Sequence, residues 1–270
     1  MSDRAPAVAG AFYPGDPQEL LGMLASFREG EKPGKKLPVK AVLVPHAGFV
    51  YSGKVAAKVY GKIDPPSLCI LLGPNHTGMG ARASLWNKGS WRTPLGSVPI
   101  DEEAAAALLS KTRILEPDER AHRREHCLEV QLPFLQAIRK DLRIVPIVLG
   151  HLSPAECEAL ARELADFVKA SREPVLLISS SDMNHYLPDR ENRAIDKIAL
   201  KEIEAFSPEG LYETVEQNDI SMCGYIPTAI VMRAAKELGA KHSELVAYAT
   251  SAEAFGDKSR VVGYAGALFW

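Results

Sequence analysis

Four short apolar runs punctuate the chain: Ala41–Val44, Leu68–Leu72, Arg143–Leu149 and Val175–Ile178. None shows the in–out alternation of a half-exposed strand, so each reads as a strand buried on both faces. Helical patterns separate them. Asp16-Pro17-Gln-Glu19 supplies an N-cap, a first-turn proline and an N3 glutamate for a helix to about Glu29. Further helices are expected over roughly Gly53–Tyr60, Asp101–Ser110 and Leu128–Lys140, the last with Pro133 either near its start or kinking it. Ser153-Pro-Ala-Glu156 is a full capping box that opens a helix to about Ala170. Helices are also expected over Glu191–Ala205, from Pro208 to about Glu216, and from Ile226 or Pro227 to Leu238, stopped by Gly239.

Ala83–Pro99 reads as hairpin structure, Glu31–Leu37 as a solvated loop, and Leu245–Tyr248 and Val261–Trp270 as closing strands. Pro146 inside the third apolar run suggests an edge or a bulge. Strands alternating with helices imply one α/β domain over residues 1–270. Its central sheet, flanked by helices, should be mixed but mostly parallel, because the last two strands have no clear helix between them.

The ends of these strands carry the candidate chemistry. Ala41–Val44 stops at Pro45 and delivers His46 into a turn with Gly48 and Gly53. Leu68–Leu72 delivers His76 into Gly73-Pro-Asn-His-Thr-Gly78 in the same way. Val175–Ile178 leads to Asp182 and His185. Ligands of open α/β sheets sit outside the carboxyl ends of the strands. Two imidazoles beside such a cleft suit a divalent transition metal, given a third ligand. Cys223 is the best third candidate, since a helix N-terminus and a nearby cation both favour the thiolate; the alternative is a small buried hydrophobe.

Asp182 and His185 are three apart. On a helical turn the carboxylate could fix the imidazole, leaving His185 as an acid or base; the alternative is that Asp182 caps the next helix. His126 and Glu129 either line the cleft or form a surface ion pair. His122, among Arg120, Arg123 and Arg124, is expected to be exposed, His151 to close a strand, and His242 to lie on the surface.

Composition narrows the function classes. Hydrophobic residues make up 46% and charged residues 24% of the 270 residues, ordinary for a globular protein. A net charge of −2 gives no pull toward nucleic acid or anionic membrane. No apolar stretch approaches the ~20 residues that span a bilayer, and the N-terminus lacks a signal-peptide apolar region. Cys69, Cys127, Cys157 and Cys223 form no CxxC pair, which suits a reduced, cytoplasmic compartment.

Several blocks together resemble the Memo family (AmmeMemoRadiSam system protein B-like) over nearly the whole length. They are Ala9-Gly-Ala-Phe-Tyr13, Pro45-His-Ala-Gly-Phe-Val-Tyr-Ser-Gly53, Gly73–Gly78, Glu125-His-Cys-Leu-Glu-Val-Gln-Leu-Pro133, Ser180-Ser-Asp-Met-Asn-His185, Cys223-Gly224 and Gly263–Leu268. The family is similar in fold to class III (LigB-type) extradiol dioxygenases, which hold Fe(II) with two histidines and a glutamate. The resemblance implies a LigB-like α/β fold and a pocket of two histidines and a cysteine, falling here on His46, His76 and Cys223. The family's further pocket aspartate and histidine match Asp182 and His185.

Phe12, Tyr51, Asn75 and His126 are the expected pocket lining. Phe12 stands where animal members have tryptophan, and Phe49 where many have tyrosine. A thiolate in place of a carboxylate admits Cu or Zn as well as Fe(II). The function implied is a non-haem-metal, iron-type redox enzyme acting on a small molecule. The alternatives are a non-catalytic ligand-, phosphopeptide- or protein-binding module, or an iron- or copper-handling protein. Radical SAM and AMMECR-family proteins are the pathway partners implied.

Overall fold

The computed structural model describes residues 3–30, 34 and 36–270. Most of the Glu31–Leu37 loop expectation therefore lies outside the described residues. In chain order the elements are β1 (Asp3–Arg4), α1 (Pro17–Ser26), β2 (Ala41–Val44), α2 (Phe49–Gly61), β3 (Leu68–Pro74), β4 (Ala83–Leu85), β5 (Ser90–Thr93), β6 (Gly96–Pro99), α3 (Glu102–Lys111) and β7 (Glu116–Pro117). A 3-10 turn (Glu129–Gln131) leads into α4 (Leu132–Ile138). Then come β8 (Arg143–Leu149), α5 (Pro154–Ala170), β9 (Val175–Ser180), β10 (His185–Leu187), α6 (Asp189–Glu204), α7 (Pro208–Gln217), α8 (Tyr225–Glu237), β11 (Ser243–Thr250), α9 (Ala252–Phe255) and β12 (Val261–Phe269).

The main sheet runs β10-β12-β2-β9-β3-β8-β4-β7, with β11 along the other side of β12. Its centre, β2-β9-β3-β8, is parallel, and every residue of β2, β3 and β9 is buried. That double-sided burial is why these segments read as continuous apolar runs. β12 runs antiparallel to β2, β10 and β11, and β4 antiparallel to β8, so the sheet is mixed as expected.

Helices cover both faces. Ser179 bonds Thr228 of α8 (2.8 Å), while its neighbour Ser180 takes a bond from Gln131 (2.9 Å), which in turn meets Tyr60 of α2 (3.0 Å). Successive strand residues point to opposite faces, so α8 and α2 lie on opposite sides of the sheet.

Three expectations are corrected. Ala83–Leu85 joins the main sheet against β8; only β5 and β6 form the hairpin, turning at Thr93–Gly96. Pro146 is neither at an edge nor in a bulge, since β8 pairs with β3 on one side and β4 on the other. Its carbonyl accepts from Trp86 N–H just past the end of β4, so its missing N–H falls where that ladder has already stopped. Helix α2 begins at Phe49 rather than near Gly53, with Gly48 as N-cap.

Candidate functional site

The parallel strands end on one edge, and the site is built there. β2 runs out at His46 and β3 at Asn75-His76. After β9 the chain crosses the end of β2, where Ser181 N–H bonds the Val44 carbonyl (3.0 Å). It then runs beside β12 as β10, so Asp182 falls under His46 and His185 lies further along the same strand of support.

His46, His76 and Cys223 converge, with one donor atom from each lying within 4.8 Å of the other two. Cys223 Sγ is 3.2 Å from His46 Nε2. Tetrahedral first-row sites have ligand–ligand edges of about 3.4–3.6 Å, given ~2.0–2.1 Å to nitrogen and ~2.3 Å to sulfur.

Both imidazoles are held with one nitrogen facing inward. His46 Nδ1 meets Ser180 Oγ at 3.0 Å. The single Ser180 proton goes to the Cys127 carbonyl (2.6 Å), and Gln131 Nε2 also donates to that hydroxyl. Ser180 can therefore only accept from His46, so Nδ1 carries the proton and Nε2 keeps its lone pair. His76 Nδ1 lies 2.9 Å from Glu125 Oε1, and its backbone N–H bonds Oε2 (2.7 Å). A carboxylate only accepts, so Nε2 of His76 is again the free nitrogen. Such a carboxylate–histidine pair is the usual support of a metal-bound imidazole.

Electrostatics follow burial. Burial, then the neighbouring His76, holds the His46 imidazole well below its usual range. Burial pushes the Glu125 carboxyl up, but His76 and the Cys127 N–H outweigh it and hold the group down at about 2. Burial and Asp182 push the Cys223 thiol far up. That reverses the expectation of a lowered thiol: Cys223 precedes Gly224, the N-cap of α8, and burial outweighs the helix end.

The expected Asp182–His185 pairing is replaced by two separate anchors. Segment 181–184 is not helical. Asp182 Oδ1 accepts the N–H groups of His46 (2.7 Å) and Ala47 (3.3 Å), so it also caps no following helix. His185 Nδ1 instead lies 2.6 Å from the Ser221 carbonyl. That oxygen only accepts, so His185 also presents Nε2 as a lone pair. Burial leaves the Asp182 carboxyl raised although the His46 N–H bonds it.

His126 lines the cleft: its ring stacks on His76 (4.7 Å between centroids) and meets His46 (5.3 Å) and Phe12 (4.8 Å). Burial and His46 hold it down at about 4. Tyr51 is exposed at the rim, edge-on to Phe255 (5.4 Å). Asn75 is committed to its own loop: Oδ1 accepts from Thr77 and Gly78, and Nδ2 donates to Met79. Phe49 packs in a buried aromatic cluster with Tyr13, Phe27 and Phe134.

Glu129 forms no surface pair with His126. It is buried against Arg4 (2.6 Å) and also accepts from Ala7 N, Val8 N and Tyr13 Oη, tying down the segment that carries Phe12. His122 is buried rather than exposed, boxed by Trp86 and Trp91 and donating from Nε2 to the Ser84 carbonyl (3.2 Å). His151 and His242 are exposed. Glu125, Ser180 and Gln131 were not singled out from sequence. Glu125 and Gln131 sit inside the Glu125–Pro133 block, where their spacing from the ligands in the chain gave no signal.

Fold and site together define an α/β protein with a polar cleft at the carboxyl edge of its sheet and a donor set of two imidazoles and a thiol. A family model described as Memo-like protein matches residues 4–268. The chain belongs to the Memo family. MEMO1 family proteins of Sulfolobus acidocaldarius and Aquifex aeolicus are 42% and 43% identical to it, over 98% and 100% of this chain and 99% and 100% of theirs. An uncharacterized protein of Escherichia coli K12 (JW3007) shares the fold, with a TM-score of 0.59 at 12% identity, over 85% of this chain and 99% of that one. Among the described residues no helix is long and apolar enough to cross a membrane.

Proposed function

We propose that the protein is a non-haem-metal redox enzyme in which His46, His76 and Cys223 hold the metal, Fe(II) first and Cu or Zn as alternatives. The observation that carries this reading is the inward Nε2 lone pairs of His46 and His76, each fixed by an acceptor on Nδ1, facing Cys223 Sγ. A bound Fe(II) would supply one-electron chemistry and open positions for a small oxidant. The chain's own residues do the rest. His185, with Nε2 unprotonated, takes a proton from the substrate. Asp182 anchors the turn that carries His46. Phe12 and His126, in ring contact at 4.8 Å, wall one side of the cleft. Because burial keeps the free Cys223 thiol protonated, metal entry must release a proton, so loading is favoured by higher pH.

The exposed aromatic pair of Tyr51 and Phe255 supports a second reading, in which the pocket binds an aromatic ligand, phosphopeptide or partner without turnover. The radical SAM and AMMECR-family proteins implied by the resemblance are pathway neighbours on the first reading. The test is metal content after anaerobic iron loading. Cys223→Ser should lose most of its iron, while Cys69→Ser, Cys127→Ser and Cys157→Ser keep theirs. Equal iron in all four removes Cys223 from the site. Iron-loaded His185→Gln should keep its metal and lose substrate-dependent oxygen consumption, for which candidate substrates are screened on the parent protein.

A further inference from the structure

A line of polar side chains runs from exposed Ser221 beside His185 to buried Asn184 and to Asn192 and Asp196 of α6, and the metal-ligand reading makes no use of it. We propose that Asp196, acting through Asn192, Asn184 and Ser221, is the positioning residue that sets the aim and tautomer of His185. The inference rests on His185 being the proton-transfer group. His185 is held at two points by Ser221: its backbone N–H bonds Oγ (2.9 Å) and Nδ1 faces the carbonyl (2.6 Å). Ser221 is held in turn by Asn184 Oδ1, which accepts from Ser221 N (3.0 Å) and Oγ (2.9 Å). Asn184 reaches Asp196 twice. Its N–H bonds Oδ1 directly (2.7 Å), and its Nδ2 donates to Asn192 Oδ1 (2.9 Å). Asn192 Nδ2 then donates to Asp196 Oδ2 (2.9 Å).

The direction of every bond is forced from both ends. A backbone N–H can only donate, so Asn184 Oδ1 must face Ser221 and the amide must present its nitrogen to Asn192. A carboxylate can only accept, so Asn192 must present its nitrogen to Asp196. Tyr248 Oη completes the carboxylate's donors at 2.5 Å.

Packing alone gives no reason for a carboxyl here. Asn192 and Asp196 are fully buried, and burial pushes the Asp196 carboxyl up to about 6. Strand β12 makes room for it with a glycine: a Cβ on Gly263 would overlap Asp196 Oδ2. The same glycine bonds segment 183–184 from both its N–H and its carbonyl, so the carboxylate and the His185 segment are docked on one residue.

The experiment reads the His185 ring by nitrogen NMR on metal-free, 15N-histidine-labelled full-length protein, with the signal assigned by its loss in His185→Gln. The parent should show neutral His185 with the proton on Nδ1. Asp196→Asn puts a donor where acceptors are needed and should raise the Nε2–H fraction relative to Nδ1–H by about fivefold, the worth of one net hydrogen bond. Asn192→Ala cuts the side-chain link, removing one donor from Asp196 Oδ2 but keeping the carboxylate, and should move the ratio the same way, which covers the case of Asp196→Asn failing to fold. Tyr248→Phe removes a donor from the far side and should leave the tautomer as in the parent. A network that only ties α6 to β12 would leave the tautomer unchanged in folded Asp196→Asn or in Asn192→Ala, and that result overturns the proposal. No metal or turnover enters the measurement, so failure of the redox reading would show separately, in the iron-loaded assay.

Discussion

Replacing Glu125 by glutamine tests whether the support beneath His76 is a charge or only a shape. Oε1 accepts from His76 Nδ1 (2.9 Å), His126 N (2.9 Å) and Cys127 N (3.0 Å), and Oε2 accepts from His76 N (2.7 Å). The carboxyl, buried and four times bonded, is held at about 2 against an ordinary 4.5. At ~1.36 kcal/mol per pKa unit, that gap is worth about 3 kcal/mol of stability at neutral pH. The folded pKa is depressed, so the contribution is present above pH 4.5 and is lost as pH falls toward 2. At pH 3 less than half of it remains.

Glu125→Gln keeps the shape and cannot titrate. Urea unfolding of the metal-free protein should therefore show a parent-minus-variant stability difference that narrows by about 2 kcal/mol between pH 7 and pH 3. Whatever fixed cost the misplaced amide adds is the same at both pH values and drops out. A difference that stays constant with pH would refute the argument, because it would mean that the Glu125 charge gains nothing from the donors around it.

Three further outcomes are expected. Arg4→Met strands the Glu129 carboxylate without its cation and should cost about 3–5 kcal/mol in urea unfolding. Ser180→Ala leaves the Cys127 carbonyl and one Gln131 N–H without their partner and frees His46 Nδ1, so metal-free stability should fall by about 1–3 kcal/mol and iron affinity by about 10–100-fold. Gly224→Ala puts a Cβ 2.5 Å from the Ser180 carbonyl oxygen, which should cost about 1–3 kcal/mol and displace Cys223, read as thermal destabilisation together with reduced iron loading.

The amino-acid sequence by itself determined the elements and the placement of the chemistry along the chain. Buried parallel strands must be apolar on both faces, so Ala41–Val44, Leu68–Leu72, Arg143–Leu149 and Val175–Ile178 stood out as runs. Helix ends carry local signals, so Ser153–Glu156 marked the start of α5 to the residue. Histidines just past such strands had to sit at a sheet edge, and the family blocks singled out His46, His76, Cys223, Asp182 and His185.

Tertiary structure alone decided which of these groups touch. Hydrogen-bond partners of buried polar atoms are chosen across the fold. Asp182 binds the backbone of His46, just past the end of β2, and not His185 three residues away. Glu129 meets Arg4 from the opposite end of its half of the chain, and His122 vanishes between two tryptophans although arginines surround it in sequence. The direction of the Cys223 shift was likewise out of reach. A helix end next to a thiol is a local feature, but the desolvation that overrides it is set by everything packed around the sulfur.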